Sequence, residues 1–376
     1  MKVFVAFDSF KGSISSQAAN QMVAKAFREE GFTVVTKAVA DGGEGSVAAL
    51  LNNGGLPIAI PSVNSLFQPV IDTVAYFPSQ QTAFVEVANT IGLHFNHHHS
   101  PYQLSSYGVG LTIKTLVEQY KVKHIVLMLG GTGTIDAGIG MGEALGLIYY
   151  DQENRPLTKV TGKDLKQIAK IETQALTQYQ TIQFSVGHDV IAPLLGPTGA
   201  VYGFGQQKGL LDTQFLDYET MMCHFLNVSG GEEQKGDGAA GGLGYFCRHF
   251  LQATTQSGFS YIAEYGQFNQ LKEIDLVITG EGQCDEQSLL GKLPLQVANY
   301  FQKPTLLLVG SIAHCHLTVP KPIIGIYPIT AYPCSLQEAM KQTESFLYYT
   351  AKQIAKTLSL KEEYNEKNCH SLINRK

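Results

Sequence analysis

The chain of 376 residues lacks features that mark several common classes of protein. Lysine and arginine total 27 against 32 aspartate and glutamate residues, and the net charge of −5 argues against a nucleic-acid binder, which normally carries a basic face. No apolar run approaches the ~20 residues that span a bilayer, so we expect no membrane contact. The apolar run at residues 3–7 is too short for a signal peptide, and we expect a cytoplasmic protein.

Cysteine pairs and arginine are also sparse. The six cysteines include no CxxC pair, which favours reduced thiols over disulfides. Neither His97-His98-His99 nor His314-Cys315-His316 has the spacing of a zinc site, and we interpret both as structural or incidental. Arginine occurs only four times, so anion recognition must depend mainly on lysine, backbone amides and metal.

Composition and pattern predict a two-domain α/β protein. The hydrophobic fraction of 44% is typical of a globular protein, and 376 residues exceed one ordinary core. Parallel β-α patterns at both ends predict one doubly wound parallel sheet, built from residues 1–60 and 270–376. Residues 61–269 are predicted to form an inserted α/β domain. Alternating runs at 70–77 and 82–87 predict an antiparallel hairpin within it.

Two kinds of local signal place the elements of these domains. Continuous apolar runs predict buried strands at 3–7, 32–39, 124–129, 181–186, 274–279, 305–309 and 323–329. Near the end of the chain, Ser335 and Glu338 have the spacing of a capping box, and an apolar stripe follows them. We therefore predict one long terminal helix from Ser335.

Four segments that follow predicted strands interleave glycines with carboxylates or a lysine. They are Asp8-Ser9-Phe10-Lys11-Gly12, Asp41-Gly42-Gly43-Glu44-Gly45, Gly130-Gly131-Thr132-Gly133-Thr134-Ile135-Asp136 and Thr279-Gly280-Glu281-Gly282-Gln283-Cys284-Asp285. Glycine lets backbone N–H groups approach an anion, carboxylates hold Mg²⁺, and lysine neutralises phosphate charge. Because ligands of doubly wound sheets bind at the carboxyl ends of the strands, we expect one cleft between the two domains for a metal-bound polyphosphate.

These segments resemble the bacterial type I glycerate kinase family, from residue 1 to about residue 355. The resemblance also includes Asp189, the block Gly205-Gln206-Gln207-Lys208-Gly209 and the glycine-rich stretch 238–244. It implies a flavodoxin-like α/β domain with a second α/β domain inserted into it. It further implies ATP-dependent phosphorylation of D-glycerate, with 2-phosphoglycerate as the product in many members. The chain departs from the family pattern at Ile135 and Ala192, where asparagine is usual, and at Gln283, where arginine is usual.

Strand-end placement and this resemblance together suggest individual roles. We assign Mg²⁺ to the carboxylates Asp8, Asp41, Glu44 and Glu281. Lys11 and Lys292 are expected to neutralise phosphate or a substrate carboxylate, and Lys292 would oppose the dipole of its helix unless an anion lies nearby. Asp189 is the candidate general base, with Asp285 second, although Asp189 could equally cap a turn. The further candidates for binding nucleotide or substrate are Ser9, Gly12, Gly42, Gly43, Gly131, Thr132, Thr134, Asp136, Gly280, Gly282 and Gln283.

Three functional interpretations remain open on the sequence. The first is a kinase that uses ATP and Mg²⁺ on glycerate or another small hydroxy acid, and a homodimer is compatible with it. The second is a family member that binds its ligands without fast turnover, which the apolar residues Ile135 and Ala192 suggest. The third is a dinucleotide oxidoreductase, with Gly130–Gly133 as the fingerprint and Asp151 about twenty residues on. That fingerprint fails where Asp136 replaces its third glycine.

Overall fold

The computed structural model describes residues 1–96, 99–286, 289, 291–313 and 318–373, with side chains described up to residue 360. The histidines at 97, 98, 314 and 316 and the cysteine at 315 lie outside the described residues. The chain forms two compact units, Met1–Val39 with Ala263–Lys376, and Ala40–Ile262. None of the helices that the structure describes has both the length and the apolar composition needed to cross a membrane.

The described residues contain strands and α-helices along the whole chain. The strands are β1 (Lys2–Val5), β2 (Thr33–Thr36), β3 (Leu56–Val63), β4 (Pro69–Phe77), β5 (Thr82–Glu86), β6 (His124–Met128), β7 (Ile148–Tyr150), β8 (Pro156–Leu157), β9 (Lys170–Glu172), β10 (Gln183–Gly187), β11 (Thr254–Gln256), β12 (Leu276–Thr279), β13 (Gln283–Cys284), β14 (Thr305–Val309), β15 (Ser311–Ile312) and β16 (Ile323–Pro328). The α-helices are α1 (Ser16–Arg28), α2 (Ser46–Asn52), α3 (Ala88–Ile91), α4 (Tyr107–Tyr120), α5 (Ile139–Ala144), α6 (Ala200–Phe204), α7 (Phe215–Ser229), α8 (Leu243–Leu251), α9 (Gly258–Tyr265), α10 (Leu293–Phe301), α11 (Leu336–Lys341) and α12 (Thr343–Ile373).

The first unit is built on a five-stranded parallel sheet with the order β16-β14-β12-β1-β2. Counted within the unit, this is the order 2-1-3-4-5 of flavodoxin-like doubly wound sheets. Both faces of β1 are covered, which explains its continuous apolar sequence. Val3 and Val5 belong to one core cluster with α1 and α12, while Phe4 packs against Phe301 at 4.4 Å between ring centroids. The predicted flavodoxin-like α/β fold is confirmed.

The second unit is built on a six-stranded mixed sheet with the order β11-β10-β6-β5-β4-β3. The pairs that join β5, β6, β10 and β11 are parallel, whereas β3, β4 and β5 pair in antiparallel fashion. The predicted hairpin of β4 and β5 is therefore present. A separate antiparallel sheet of β7, β8 and β9 carries no clear signal in the sequence, because its strands have only two or three residues each.

The boundary between the units differs from the predicted one. Residues 40–60 belong to the second unit, since β3 pairs with β4 along its whole length and α2 packs against β4 and β5. Prolines at 57 and 61 obscure β3 in the sequence, yet β3 is an edge strand, where proline is tolerated. At the other end, residues 263–269 belong to the first unit, and Phe268 packs against Phe4.

The predicted terminal helix is two helices. The hydroxyl of Ser335 accepts a hydrogen bond from the backbone N–H of Glu338 at 3.2 Å, as the capping signal indicates. The first helix, α11, ends at Lys341, and α12 begins at Thr343. The side chain of Thr343 is buried and bonds to the hydroxyl of Ser13 at 2.6 Å. This tertiary contact lies where the helical pattern is interrupted.

Asn20 on α1 determines how the end of β1 is held. Its Oδ1 accepts from the buried backbone N–H of Phe7 at 2.8 Å, and its Nδ2 donates to the carbonyl oxygen of Lys37 at 2.9 Å. Asn20 is itself buried in the interior of the first unit. One side chain therefore joins the segments that follow β1 and β2, just before the predicted Asp8 loop.

We expect Asn20→Ala to lower the free energy of unfolding by roughly 2–4 kcal/mol, because it leaves two backbone groups without partners in the interior. Urea unfolding followed by circular dichroism measures this difference. Asn52→Ala is the matched control, since the Asn52 amide is exposed and bonds only to Ala48 one turn earlier. The control should change stability by no more than about 0.5 kcal/mol. Equal effects of the two substitutions would contradict the assigned role of Asn20.

Candidate functional site

Two of the predicted segments meet at the topological switch point of the first unit. The strands β1 and β12 are neighbours, and β2 and β14 lie on opposite sides of them. The backbone N–H of Asp8 donates to the carbonyl oxygen of Gly280 at 3.1 Å. A side chain at Gly280 would collide with the carbonyl oxygen of Leu308, so glycine is required there by packing. The switch point is where flavodoxin-like sheets bind their ligands.

In the Asp8–Gly12 loop, Lys11 and Gly12 are exposed to solvent. The Asp8 carboxylate accepts from the backbone N–H of Ser9 at 2.7 Å. Gly12 has a φ of +77°, a conformation that favours glycine. Asp8 and Ser9 are half-buried. An exposed lysine at this strand end is well placed to pair with an anion.

The Gly280–Asp285 segment continues along β13, which pairs with β15. Glu281 is buried, Gly282 is half-buried, and Gln283 is exposed on β13. Lys292 is the N-cap residue of α10, and its Nζ lies 3.1 Å from Oδ1 of Asp285. The anion expected near Lys292 at the start of α10 is thus the Asp285 carboxylate of the same chain. Both side chains are over one third exposed, so the pair contributes only about 0–1 kcal/mol to stability.

In the second unit, three predicted segments come together at the carboxyl ends of β6 and β10. The backbone N–H of Gly130 donates to the carbonyl oxygen of Gly42 at 3.0 Å. A Cβ on Gly42 would lie 2.7 Å from the carbonyl oxygen of Gly187, and the φ of Gly42 is +96°. A Cβ on Gly130 would collide with Gly43. Close backbone packing within the unit therefore explains the glycine at position 42 of the Asp41–Gly45 segment.

Asp189 lies two residues beyond the end of β10, and its side chain is exposed. The preceding residue, His188, is buried, and this burial lowers the pKa of its imidazole. Asp189 thus supplies an exposed carboxylate just beyond the end of β10. Such a group can accept a proton from a substrate hydroxyl.

A buried glutamate that sequence analysis did not select holds the Asp41–Gly45 loop. The carboxylate of Glu86 accepts from the backbone N–H groups of Gly45 at 3.0 Å and Val47 at 2.9 Å, at the start of α2. Glu86 is 4% exposed, and burial raises its pKa. Its one signal in the sequence is a carboxylate at the end of the apolar run Thr82–Glu86.

The four predicted metal ligands fall into two pairs, Asp8 and Glu281 in the first unit and Asp41 and Glu44 in the second. Asp41 and Glu44 are exposed, and the Asp41 carboxylate accepts from the backbone N–H of Gly43 at 2.9 Å. Among the described residues, no group of three or more histidine, cysteine, aspartate or glutamate side chains is arranged to hold a metal ion. The assignment of Mg²⁺ to these four carboxylates therefore stays a prediction.

The Gly130–Thr134 loop rests on Lys208, which sequence analysis also did not select. Thr132 and Thr134 are buried and Gly131 is exposed. The Nζ of Lys208 donates to Oγ1 of Thr132 and to the carbonyl oxygen of Thr134, both at 3.0 Å. The signal that could have found it is a lysine between glycines in the block Gly205–Gly209.

The predicted role of Asp136 in binding a nucleotide is not supported by its position. Its carboxylate has no exposed surface. It accepts from the backbone N–H and hydroxyl of Ser106, each at 2.7 Å, and from the backbone N–H groups of Gly138 and Gly140, each at 3.2 Å. Asp136 therefore joins the loop after β6 to the beginnings of α4 and α5. It is a structural residue whose loop position resembles that of a ligand-binding one.

One departure from the family pattern, Ile135, acquires a structural explanation, whereas the bonds of a second, Ala192, involve only its backbone. Ile135 is fully buried in the core of the second unit, and its carbonyl oxygen accepts from the hydroxyl of Tyr218 at 2.7 Å. The carbonyl oxygen of Ala192 accepts from the backbone N–H groups of Gly236 and Gly238 at 3.1 and 3.0 Å. The side chain of Ile135 thus fills the core. This structural role removes part of the reason for the second interpretation, in which the protein binds its ligands without fast turnover.

Asp151, the acidic residue of the dinucleotide interpretation, has a structural explanation. Asp151 follows β7 in the small antiparallel sheet, and its carboxylate accepts from the backbone N–H groups of Glu153 and Arg155. It also pairs with the Arg155 guanidinium at 2.8 Å. Asp151 therefore stabilises the turn before β8, and no ribose is needed to explain it.

We expect Asp136→Asn to lower the free energy of unfolding by about 1–3 kcal/mol, because an amide NH₂ would face a backbone donor where an oxygen now accepts. The KM for nucleotide should stay near that of the unchanged protein, since no atom of Asp136 reaches the surface. Urea unfolding and steady-state kinetics measure the two quantities. Asp212→Asn, at an exposed position of the same unit, is the control. Unchanged stability with a tenfold higher KM would restore the binding role.

Comparison with known proteins identifies the relatives of this chain. The glycerate kinase family profile matches residues 3–359. A glycerate kinase from Neisseria meningitidis serogroup B is 32% identical over 371 residues, which cover 96% of this chain and 99% of the relative. A glycerate 2-kinase from Escherichia coli is 29% identical over 382 residues, which cover 96% of this chain and 98% of the relative.

The fold has a solved counterpart. A protein assigned as glycerate kinase 2 from Salmonella typhimurium LT2 superposes with a TM-score of 0.83 at 28% sequence identity, covering 96% of this chain and 99% of that one. The profile, the relatives and this structure all extend over nearly the whole chain. The class of enzyme is thus a phosphotransferase, for which a nucleotide is a substrate. The chain belongs to the glycerate kinase family.

Proposed function

We propose that the protein is an ATP-dependent kinase that phosphorylates a hydroxyl group of D-glycerate, with 2-phosphoglycerate as the expected product. Family membership supports the reaction class. The observation that carries the proposal is the placement of the glycine- and acid-rich loops. In each unit these loops lie at the carboxyl ends of neighbouring parallel strands, where doubly wound sheets bind ligands.

Phosphoryl transfer requires positioning and charge neutralisation more than covalent chemistry. Lys11, exposed at the switch point of the first unit, is the candidate cation for a phosphate or for the substrate carboxylate. Gln283, also exposed, can donate a hydrogen bond to either group but adds no charge. Lys292 already pairs with Asp285, so Lys11 is the stronger candidate.

Asp189 is the candidate general base. Its exposed carboxylate at the end of β10 can accept the proton of the attacking hydroxyl while the phosphoryl group is transferred. Asp285, the second candidate, is 36% exposed and forms an ion pair with Lys292. Asp189 is preferred because its carboxylate is exposed just beyond the end of a parallel strand.

Magnesium would supply charge neutralisation at the phosphate oxygens when bound. Asp41 and Glu44 offer exposed carboxylates, and Asp8 and Glu281 flank the switch point. One or two carboxylates are enough for an ion that also binds phosphate and water.

A coupled assay of ADP release tests the proposal. We expect turnover with ATP, Mg²⁺ and D-glycerate, and a lower kcat/KM with other small hydroxy acids. Phosphorus NMR of the product distinguishes the 2-phosphate from the 3-phosphate. Thermal stabilisation by ATP without ADP release for any hydroxy acid would contradict the proposal and favour a binding protein.

Asp189→Asn should lower kcat by about 10²–10⁴-fold, the usual contribution of a general base, while the circular dichroism spectrum and melting temperature stay unchanged. Asp212→Asn serves again as the exposed control and should keep full activity. Near-normal turnover of the Asp189 variant would exclude the residue from this role and indicate the turn-capping alternative.

A further inference from the structure

Lys208 differs from an ordinary lysine in its surroundings. It lies in a short 3₁₀ helix, Gln206–Lys208, and is only 4% exposed, whereas lysine is almost never buried without partners. Its Nζ donates to Thr132 and Thr134, as described above. Its own carbonyl oxygen accepts from the Asn96 amide at 3.3 Å, and that amide also donates to the carbonyl oxygen of Gly133 at 3.2 Å.

Further bonds of the Gly130–Thr134 loop involve the end of α3 and the residues that follow it. The backbone N–H of Gly133 donates to the carbonyl oxygen of Ile91 at 2.7 Å. The carbonyl oxygen of Gly131 accepts from the backbone N–H of Leu93 at 3.0 Å. Because these bonds and Lys208 hold the inner side of the loop, Gly131 is the part that faces outward.

The charge state of Lys208 depends on its burial and on one nearby carboxylate. Its neighbours Asn96, Thr132 and Thr134 are neutral, and Asp136 is the charged group that acts on it. Burial nevertheless dominates and lowers the pKa of Lys208 from its ordinary 10.5 to about 7. A neutral amine has two N–H groups, which match the two acceptors, so the hydrogen bonds to the loop persist in either protonation state.

We propose that Lys208 is a positioning residue, which fixes the Gly130–Thr134 loop from the interior so that Gly131 is presented at the carboxyl end of β6. This inference rests on the proposed kinase function and deepens it. The conformation of a candidate phosphate-binding loop is fixed by a lysine that is itself buried. The loop is thereby preformed, and its geometry does not depend on a bound ligand.

The test compares Lys208→Met with the unchanged protein by amide hydrogen exchange, steady-state kinetics and urea unfolding. Methionine keeps the apolar stem and removes the donors. We expect at least tenfold faster exchange at Gly131–Thr134 and at least a tenfold lower kcat/KM for the kinase reaction. Lys163→Met, at an exposed position of the same unit, is the control and should change neither quantity.

The pH dependence of stability gives an independent readout. Below pH 7 Lys208 is protonated in both the folded and unfolded states, so the cost of burying its charge is fully present. Between pH 7 and about 10 the folded state has released the proton and the unfolded state has not, so stability rises with pH, by up to about tenfold in the unfolding equilibrium per pH unit. Lys208→Met should lack this rise.

Thr132→Val provides a second variant if Lys208→Met does not fold, since it removes one acceptor with little change of shape. It should accelerate exchange at the same loop. Unchanged exchange and unchanged kcat/KM in a folded variant would overturn the proposal. If the variant exchanges faster but the unchanged protein releases no ADP, the positioning role is supported and only the kinase function is contradicted. Failure of the positioning role and failure of the kinase function are therefore distinguishable.

Discussion

Hydrogen bonds from buried polar side chains to loop backbone are the interactions on which the candidate loops depend. Asn20 holds the segment before Asp8, Glu86 holds the loop that precedes α2, and Lys208 holds the loop after β6. Each side chain satisfies backbone groups that have no water to bond with in the interior. The loops are therefore shaped by the core beneath them.

Parallel pairing gives these loops a common location within each unit. In a parallel sheet every strand ends at the same edge, so loops far apart in sequence become neighbours. In the first unit the strand order reverses between β1 and β12, where the loops at Asp8 and Gly280 meet. In the second unit, glycines at 42 and 130 allow backbones to touch where side chains would collide.

The sequence predicted the regular parts of this arrangement well. Apolar runs marked β1, β6, β12 and β14, and the glycine- and acid-rich segments after β1, β6 and β12 do lie at strand ends. The sequence was less informative for residue types that occur both in ligand-binding loops and in structural hydrogen bonds or ion pairs. Asp136 stands in a glycine-rich loop, as a nucleotide ligand would, yet its four hydrogen bonds all come from the same unit. Asp285 and Lys292 each suggested a ligand contact and bind one another.

Local patterns by themselves determined the longer parallel strands, the hairpin of β4 and β5 and the set of candidate loops, because those depend on periodicity and on backbone sterics within a few residues. Only the tertiary structure decided which polar side chains are buried beneath the loops, as with Glu86 and Lys208, and which are exposed above them, as with Asp189. The reason is that burial is set by partners distant in sequence. Thr132 and Lys208 are 76 residues apart, and no local pattern joins them.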